Sequence, residues 1–279
     1  MHIIDTKQFK DDRELQKIFR EADRMESICR KGEASEDLKG KILATLFYEP
    51  STRTRFSFES AMHKLGGSVI GTESAAHFSS FVKGETLPDT MRVVSSFVDV
   101  IVMRHPETGS AKLAAKYSSV PIINAGDGSG QHPTQSLLDA YTIQKELGRL
   151  DNLNVAMIGD LLYGRTVHSL AYLLAHRKGI KLFFVSPKQL SIPGDLKEYL
   201  EKEKDIPFEE TERLEDVAGD VDVLYVTRIQ KERFKNPEEY EKMKGCYVVD
   251  RKILELMKKD ARVLHPLPRV NEISTEVDE

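Results

Sequence analysis

At 279 residues, 40% hydrophobic and 31% charged, the chain has the composition of an ordinary soluble globular protein and is long for a single core, so two domains are expected. A net charge of −4 argues against a general nucleic-acid binder. Cys29 and Cys246, far apart and outside any CxxC spacing, exclude a disulfide scaffold or a cysteine zinc site built from this chain alone. The start MHIIDTKQFKDD has no basic-then-apolar signal pattern, and no apolar run approaches the ~18 residues of a membrane span. A cytoplasmic location without membrane contact is therefore expected.

In chain order, residues 12–31 carry Leu15, Ile18, Phe19, Ala22, Met25 and Ile28 at a period near 3.6, with Gly32 as the stop. Beyond them, short apolar runs predict strands at 42–47, 68–71, 99–103, 120–124, 154–158, 181–185, 221–226, 246–249 and 262–264. Longer amphipathic runs predict helices at 56–65, 86–97, 134–147, 165–177, 195–203 and 251–259. Alternating strands and helices with apolar, β-rich strands imply parallel sheets covered on both faces. The fold class is thus α/β, with two domains, each a mostly parallel sheet flanked by helices. The domain change is placed at the start of the 134–147 helix, giving 1–133 and 134–279.

The most informative stretch is Ser51-Thr52-Arg53-Thr54-Arg55, between the strand 42–47 and an amphipathic helix. A helix start already favours an anion through its unpaired N–H groups and dipole. Arginine adds donors in a fork that matches phosphate oxygens. A lone S-T-x-T would be read as an N-cap with solvated neighbours. Two arginines interleaved with three hydroxyls instead describe a phosphate cradle.

Polar clusters also follow the other strands. Arg104-His105 follows 99–103, the glycine-rich run to His132 and Gln135 follows 120–124, and Gly159-Asp160 to Arg165 follows 154–158. Thr227-Arg228 to Gln230 follows 221–226, and His265-Pro266-Leu267-Pro268 follows 262–264. Ligands of open α/β sheets bind beyond the carboxyl ends of strands, so these ends are the candidate site. Gly126, Gly128 and Gly130 free the backbone around His132, whereas His105, His168 and His265 read better as structural hydrogen-bond donors. The 159–164 run is not GxGxxG and gives a dinucleotide site little support.

Together FYEPSTRTRFSFE, KGETLPDT, VMRHPE, NAGDGSGQHPTQSLLD, GDLLYGRTVHSL, TRIQKER and HPLPRVNEI resemble the aspartate/ornithine carbamoyltransferase family over nearly the whole length. TRIQKER with HPLP resembles the aspartate branch, since the ornithine enzymes are expected to carry a cysteine after the histidine. The resemblance implies transfer of the carbamoyl group of carbamoyl phosphate to L-aspartate in pyrimidine biosynthesis, in a cleft between a carbamoyl phosphate-binding and an aspartate-binding domain. No metal, cofactor or covalent intermediate is implied. A carbamoyltransferase for another amine, such as ornithine, and a non-catalytic scaffold that retains the phosphate site are the alternatives.

By the same resemblance Ser51, Thr52, Arg53 and Thr54 wrap the phosphate, and Arg104 shares phosphate and carbonyl oxygen. His132 and Thr54 donate to that carbonyl oxygen, while Gln135 and the Pro266 carbonyl meet the carbamoyl amide. Arg165 holds the α-carboxylate of aspartate, Arg228 and Gln230 hold its side-chain carboxylate, and the Leu267 carbonyl faces the attacking amine. Arg55 braces the loop, Asp160 orients neighbouring arginines, and Glu49 and Arg233 make closed-state domain contacts. Ser79 and Lys83 reach the site of a neighbouring subunit, which implies a homotrimer with shared sites. A regulatory chain or another pyrimidine-pathway enzyme stands as a further candidate partner.

Three departures accompany the match. Leu162 stands where many relatives have lysine, and Phe78, Phe81 and Val82 make their loop more apolar than usual. Relatives continue past the position of Glu279 with a terminal helical segment that packs on the first domain. Without that segment an apolar face is expected to be uncovered, at ~25 cal/mol per Å².

Overall fold

The computed structural model describes residues 1–72, 84–229 and 236–278. Strand β1 (Ile42–Phe47) leads into helix α2 (Thr52–Lys64), preceded in the chain by α1 (Asp12–Lys31). Strands β2 (Ser68–Thr72), β3 (Val100–His105) and β4 (Ile122–Asp127) complete a parallel sheet in the order β2-β1-β3-β4. Helices α3 (Leu87–Val94) and α4 (Ser110–Tyr117) lie in the crossovers. Alternation along β1 sends Ala44 and Leu46 to a core with Met91, Ile101 and Met103. Leu43 and Phe47 go to a second core with Met62, Val102 and Ala125. Both faces of the sheet are therefore buried, as parallel strands require.

Helix α5 (Pro133–Leu147) precedes a second parallel sheet. Its strands are β5 (Asn154–Ile158), β6 (Lys181–Val185), β7 (Phe208–Thr211), β8 (Val223–Val226) and β9 (Arg262–Leu264), ordered β7-β6-β5-β8-β9. Helices α6 (Arg165–Leu174), α7 (Gly194–Glu198), α8 (Pro237–Met243) and α9 (Arg251–Leu256) connect them. The chain divides into two units, Met1–Thr134 and Gln135–Glu279. In α6 every residue from Val167 to Leu174 is buried, the polar His168 and Ser169 included. None of the described helices is long and apolar enough to cross a membrane.

Some elements depart from the sequence expectation. Residues 246–249 form no strand; only Val249 bridges to Ile273, after Gly245 turns the backbone with φ 73°. The stretch expected as a helix over 195–203 ends its α-helical part at Glu198 and continues as one π turn, Tyr199–Glu203. Strand β7 escaped notice because FEET presents one apolar residue on a largely exposed edge. Helix α4 escaped because its buried side consists of Ser110, Ala111 and Ala114, too small to register as an apolar stripe.

Candidate active site

In the first sheet the connection runs from β1 outward to β2 on one side, and the chain then returns to place β3 on the other. The gap between β1 and β3 is therefore the topological switch point, where α/β sheets open a crevice. Phe47 and Arg104 are register partners there, and the amide of Tyr48 donates to the Arg104 carbonyl at 2.9 Å. This pairing places the chain entering Ser51–Arg55 beside the Arg104 side chain.

Ser51 is the N-cap of α2 in an extended conformation, and its hydroxyl makes no capping hydrogen bond. The helical ladder starts with the Arg55 amide donating to the Ser51 carbonyl at 3.1 Å. The amides of Thr52, Arg53 and Thr54 thus precede the ladder and remain available to an anion. Thr52 and Arg53 are exposed, and Thr54 is half-buried. Arg55 is instead tied into the helix. Its Nε donates to Glu59 at 2.7 Å, and the Thr45 hydroxyl donates to the same carboxylate oxygen at 2.9 Å. Arg104 donates through Nε to Glu49 at 3.1 Å and is mostly buried.

The loop after β4 is held from below by a buried carboxylate. Asp127 Oδ1 accepts from the Asn124 amide at 3.0 Å and the Gln131 backbone at 2.9 Å, while Oδ2 accepts from Gly109 at 2.8 Å. Gly128 has φ 52°, and a Cβ there would lie 2.8 Å from the Pro106 carbonyl, so only glycine passes. His132 is buried at the end of this loop, with Nδ1 3.4 Å from the Thr134 hydroxyl. His105 accepts the Glu107 amide at Nδ1, and burial lowers its pKa.

The second sheet repeats the logic. Strands β6 and β7 extend from one side of β5, and β8 and β9 from the other, so its switch point lies between β5 and β8. Gly159, with φ 116°, closes β5 so tightly that a Cβ would sit 2.0 Å from the Thr227 carbonyl. Asp160 is fully buried and accepts the Tyr163 amide at 2.9 Å, and His168 Nε2 donates to the Leu161 carbonyl at 2.7 Å. Arg165 opens α6, and half-buried Arg228 follows β8.

After β9, His265 Nε2 donates to Glu272 at 2.8 Å while its Nδ1 accepts the Leu267 amide at 2.7 Å. The ring tautomer is thereby fixed, and Leu267 adopts φ 60° with its side chain exposed. Burial pushes Glu272 up, but donors from His265, Val270 and Asn271 outweigh it and hold the carboxyl at about 2. One turn into α5, Gln135 Nε2 donates to Asp139 at 2.8 Å.

Ser51, Thr52, Arg53 and Thr54 thus follow β1 and His132 follows β4, while Arg104, expected just past a strand ending at 103, is the penultimate residue of β3, the strand between them. Arg165, Arg228, Pro266 and Leu267 follow three adjacent strands of the second sheet, with Gln135 on α5. Ser79, Lys83, Gln230 and Arg233 lie outside the described residues. Among the described residues no cluster of His, Cys, Asp and Glu could hold a metal.

Two family models span almost the whole chain. Residues 1–145 match the carbamoyl-P binding domain of aspartate/ornithine carbamoyltransferase, and residues 151–279 match its Asp/Orn binding domain. The chain belongs to the aspartate/ornithine carbamoyltransferase family. The carbamoyltransferase chain is 54% identical to the aspartate carbamoyltransferase catalytic subunit of Methanocaldococcus jannaschii, covering 100% of this chain and 89% of that one. It is 54% identical to the chloroplastic aspartate carbamoyltransferase of Arabidopsis thaliana, covering 99% and 70%. In structure it is similar to the M. jannaschii catalytic subunit, with a TM-score of 0.89 at 54% identity over 100% and 89% of the two chains. The Trypanosoma cruzi enzyme in complex with carbamoyl phosphate and aspartate gives a TM-score of 0.91 at 41% identity over 99% and 88%.

Three residues of this carbamoyltransferase site were not singled out by sequence. Asp127, Asp139 and Glu272 are carboxylates that hold other side chains or loops in place. For Asp127 and Asp139 the available signal was a lone acid amid glycines and on an apolar helix. Glu272 has only its seven-residue spacing from His265.

Proposed function

We propose that this chain transfers the carbamoyl group of carbamoyl phosphate to the amine of L-aspartate, giving N-carbamoyl-L-aspartate and phosphate in pyrimidine biosynthesis. The observation that carries the reading is the switch point of the first sheet, where the Ser51–Thr54 helix start and Arg104 meet on register-paired strand ends. The Trypanosoma cruzi relative was solved with carbamoyl phosphate and aspartate together, and the M. jannaschii and A. thaliana relatives bear the aspartate enzyme's name.

In this mechanism the aspartate amine attacks the carbamoyl carbon, a tetrahedral intermediate forms, and the phosphate oxygen leaves with the bonding electrons. Ser51, Thr52, Arg53 and Thr54 hold the phosphate. Arg104, Thr54 and His132 donate to the oxygen that gains charge, each such donor contributing on the order of 3 kcal/mol to transition-state stabilisation. Gln135 and the Pro266 carbonyl accept from the carbamoyl amide, and the Leu267 carbonyl accepts from the amine. Arg165 takes the α-carboxylate of aspartate, and Arg228 with Gln230 takes the other. Holding both reactants in attack geometry supplies the larger part of the acceleration. The amine proton leaves with phosphate, so no protein base is required. Ser79 and Lys83 act from a neighbouring subunit of a homotrimer in the cytoplasm.

The deciding assay is phosphate release from carbamoyl phosphate with aspartate or ornithine as acceptor. Release with aspartate is expected. Release with ornithine alone would overturn the acceptor assignment, and release with neither would leave a scaffold that has kept the phosphate site.

A further inference from the structure

Asp139 lies almost wholly inside the second unit, one helical turn beyond Gln135 on α5. Its two oxygens have separate partners. Oδ1 accepts from Gln135 Nε2 at 2.8 Å, and Oδ2 accepts from the Tyr225 hydroxyl at 2.7 Å. Tyr225 is fully buried on β8, and Thr166, next to Arg165, hydrogen-bonds the same phenol. Ionised, as it is above the value of about 7 to which burial raises it, the Asp139 carboxyl accepts and never donates, whereas a side-chain amide has one accepting and one donating end. Asp139 therefore occupies the amide nitrogen of Gln135 and leaves Oε1 as the end available to a ligand.

We propose that Asp139 is a positioning residue that fixes the direction of the Gln135 amide, so that the site selects an acyl phosphate bearing an NH2 group over one bearing a methyl in its place. The inference deepens the carbamoyl transfer reading and rests on it. An NH2 group donates and needs an acceptor. With Oε1 outward, Gln135 supplies one; with the amide reversed, donor would face donor. A methyl group gains nothing from either orientation, so the direction of one amide discriminates between carbamoyl and acetyl phosphate. Burying an acid beside an amide is otherwise costly, and a neutral asparagine would not enforce the direction.

Tyr225 supplies the lever for a test. Its single proton is directed to position 139. In Asp139→Asn the asparagine oxygen takes that proton, its nitrogen turns to Gln135, and Gln135 must reverse. Removing the phenol by Tyr225→Phe frees the asparagine to offer its oxygen to Gln135 again.

The test is steady-state kinetics at a pH well above 7, where Asp139 is ionised, on the wild type, Asp139→Asn, Tyr225→Phe and the double variant, with acetyl phosphate as competing ligand. Asp139→Asn should lose roughly 10–100-fold in kcat/KM for carbamoyl phosphate, the scale of a mismatched buried polar contact. Acetyl phosphate inhibition and the KM for aspartate should hold, and the double variant should recover toward Tyr225→Phe. Equal losses for carbamoyl and acetyl phosphate, or a double variant no better than Asp139→Asn, would overturn the proposal. Tyr225→Phe alone keeps the carboxylate and should keep the discrimination; its loss there would also overturn the proposal, even if Asp139→Asn did not fold. A wild type inactive with carbamoyl phosphate and aspartate would instead sink the reaction assignment on which the proposal rests.

Discussion

Glu272 sits 2.8 Å from His265 Nε2 and also takes the amides of Val270 and Asn271, at 3.1 and 3.0 Å. One carboxylate thereby organises both ends of the turn that exposes Leu267. Replacing it by glutamine puts an amide nitrogen against a backbone N–H. Glu272→Gln should lower kcat/KM for both substrates by roughly 10-fold or more, since donors left unpaired cost about 1–3 kcal/mol. Kinetics matching the parent would show that the turn holds its shape without the carboxylate.

The two arginines of the cradle should separate by readout. Arg53→Ala is expected to cut kcat by at least ~100-fold, as loss of one charge-stabilising donor does, while leaving thermal stability unchanged. Arg55→Ala removes the charged partner of Glu59 and should cost about 1 kcal/mol of stability, with a smaller effect on turnover. Comparing melting temperatures with kcat for the two proteins checks the division; a stable, active Arg53→Ala protein would refute the cradle.

Gly159→Ala should be among the most damaging single-methyl changes. It combines a φ of 116° with a Cβ 2.0 Å from the Thr227 carbonyl, and backbone strain of this kind costs about 1–3 kcal/mol before any clash. Urea unfolding should show a loss of at least ~2 kcal/mol. Since Thr227 precedes Arg228, the aspartate KM should rise as well.

Burial raises the Asp139 carboxyl to about 7, against the donors Tyr225 and Gln135 that lower it. The folded chain therefore binds this proton more tightly than the unfolded chain. Its contribution to stability is complete below about pH 4 and is lost as pH rises to about 7. Asp139→Asn removes that slope. The melting temperature of the variant relative to the parent should climb between pH 4 and 7 and level off above; a difference independent of pH would contradict the raised value.

The proposed sharing of sites between subunits makes a mixing prediction. Inactive Lys83→Ala chains combined with inactive Arg53→Ala chains should regain part of the activity, because a mixed trimer contains sites with both residues intact. Absence of recovery, with mixed assemblies demonstrated by mass, would argue against sharing.

The strand pattern of both sheets was legible because parallel strands buried on two faces are continuous apolar runs, as in Val155–Ile158 and Phe183–Val185. The cradle was legible because a helix start with interleaved arginines has a local signature. What escaped were contributions with no local signature. Strand β7 is a polar edge, and Cys246–Val249 has the composition of a strand but pairs only at Val249, with Ile273. Asp139 and Glu272 act through contacts that only the fold creates, since Tyr225 is 86 positions from Asp139 along the chain. Periodicity reports burial, whereas the orientation of an amide depends on partners distant in sequence.

The order of strands in the two sheets also has an evolutionary reading. Most residues assigned to the phosphate-bearing reactant lie at the ends of β1, β3 and β4, whereas most assigned to the acceptor follow β5, β8 and β9. Loops beyond strand ends can vary without disturbing the hydrogen-bond ladder beneath them. A lineage can therefore exchange its amine by rewriting the connections after β5, β8 and β9 while inheriting the donor chemistry intact. A family whose second half is described as either Asp or Orn binding is what such an inheritance produces.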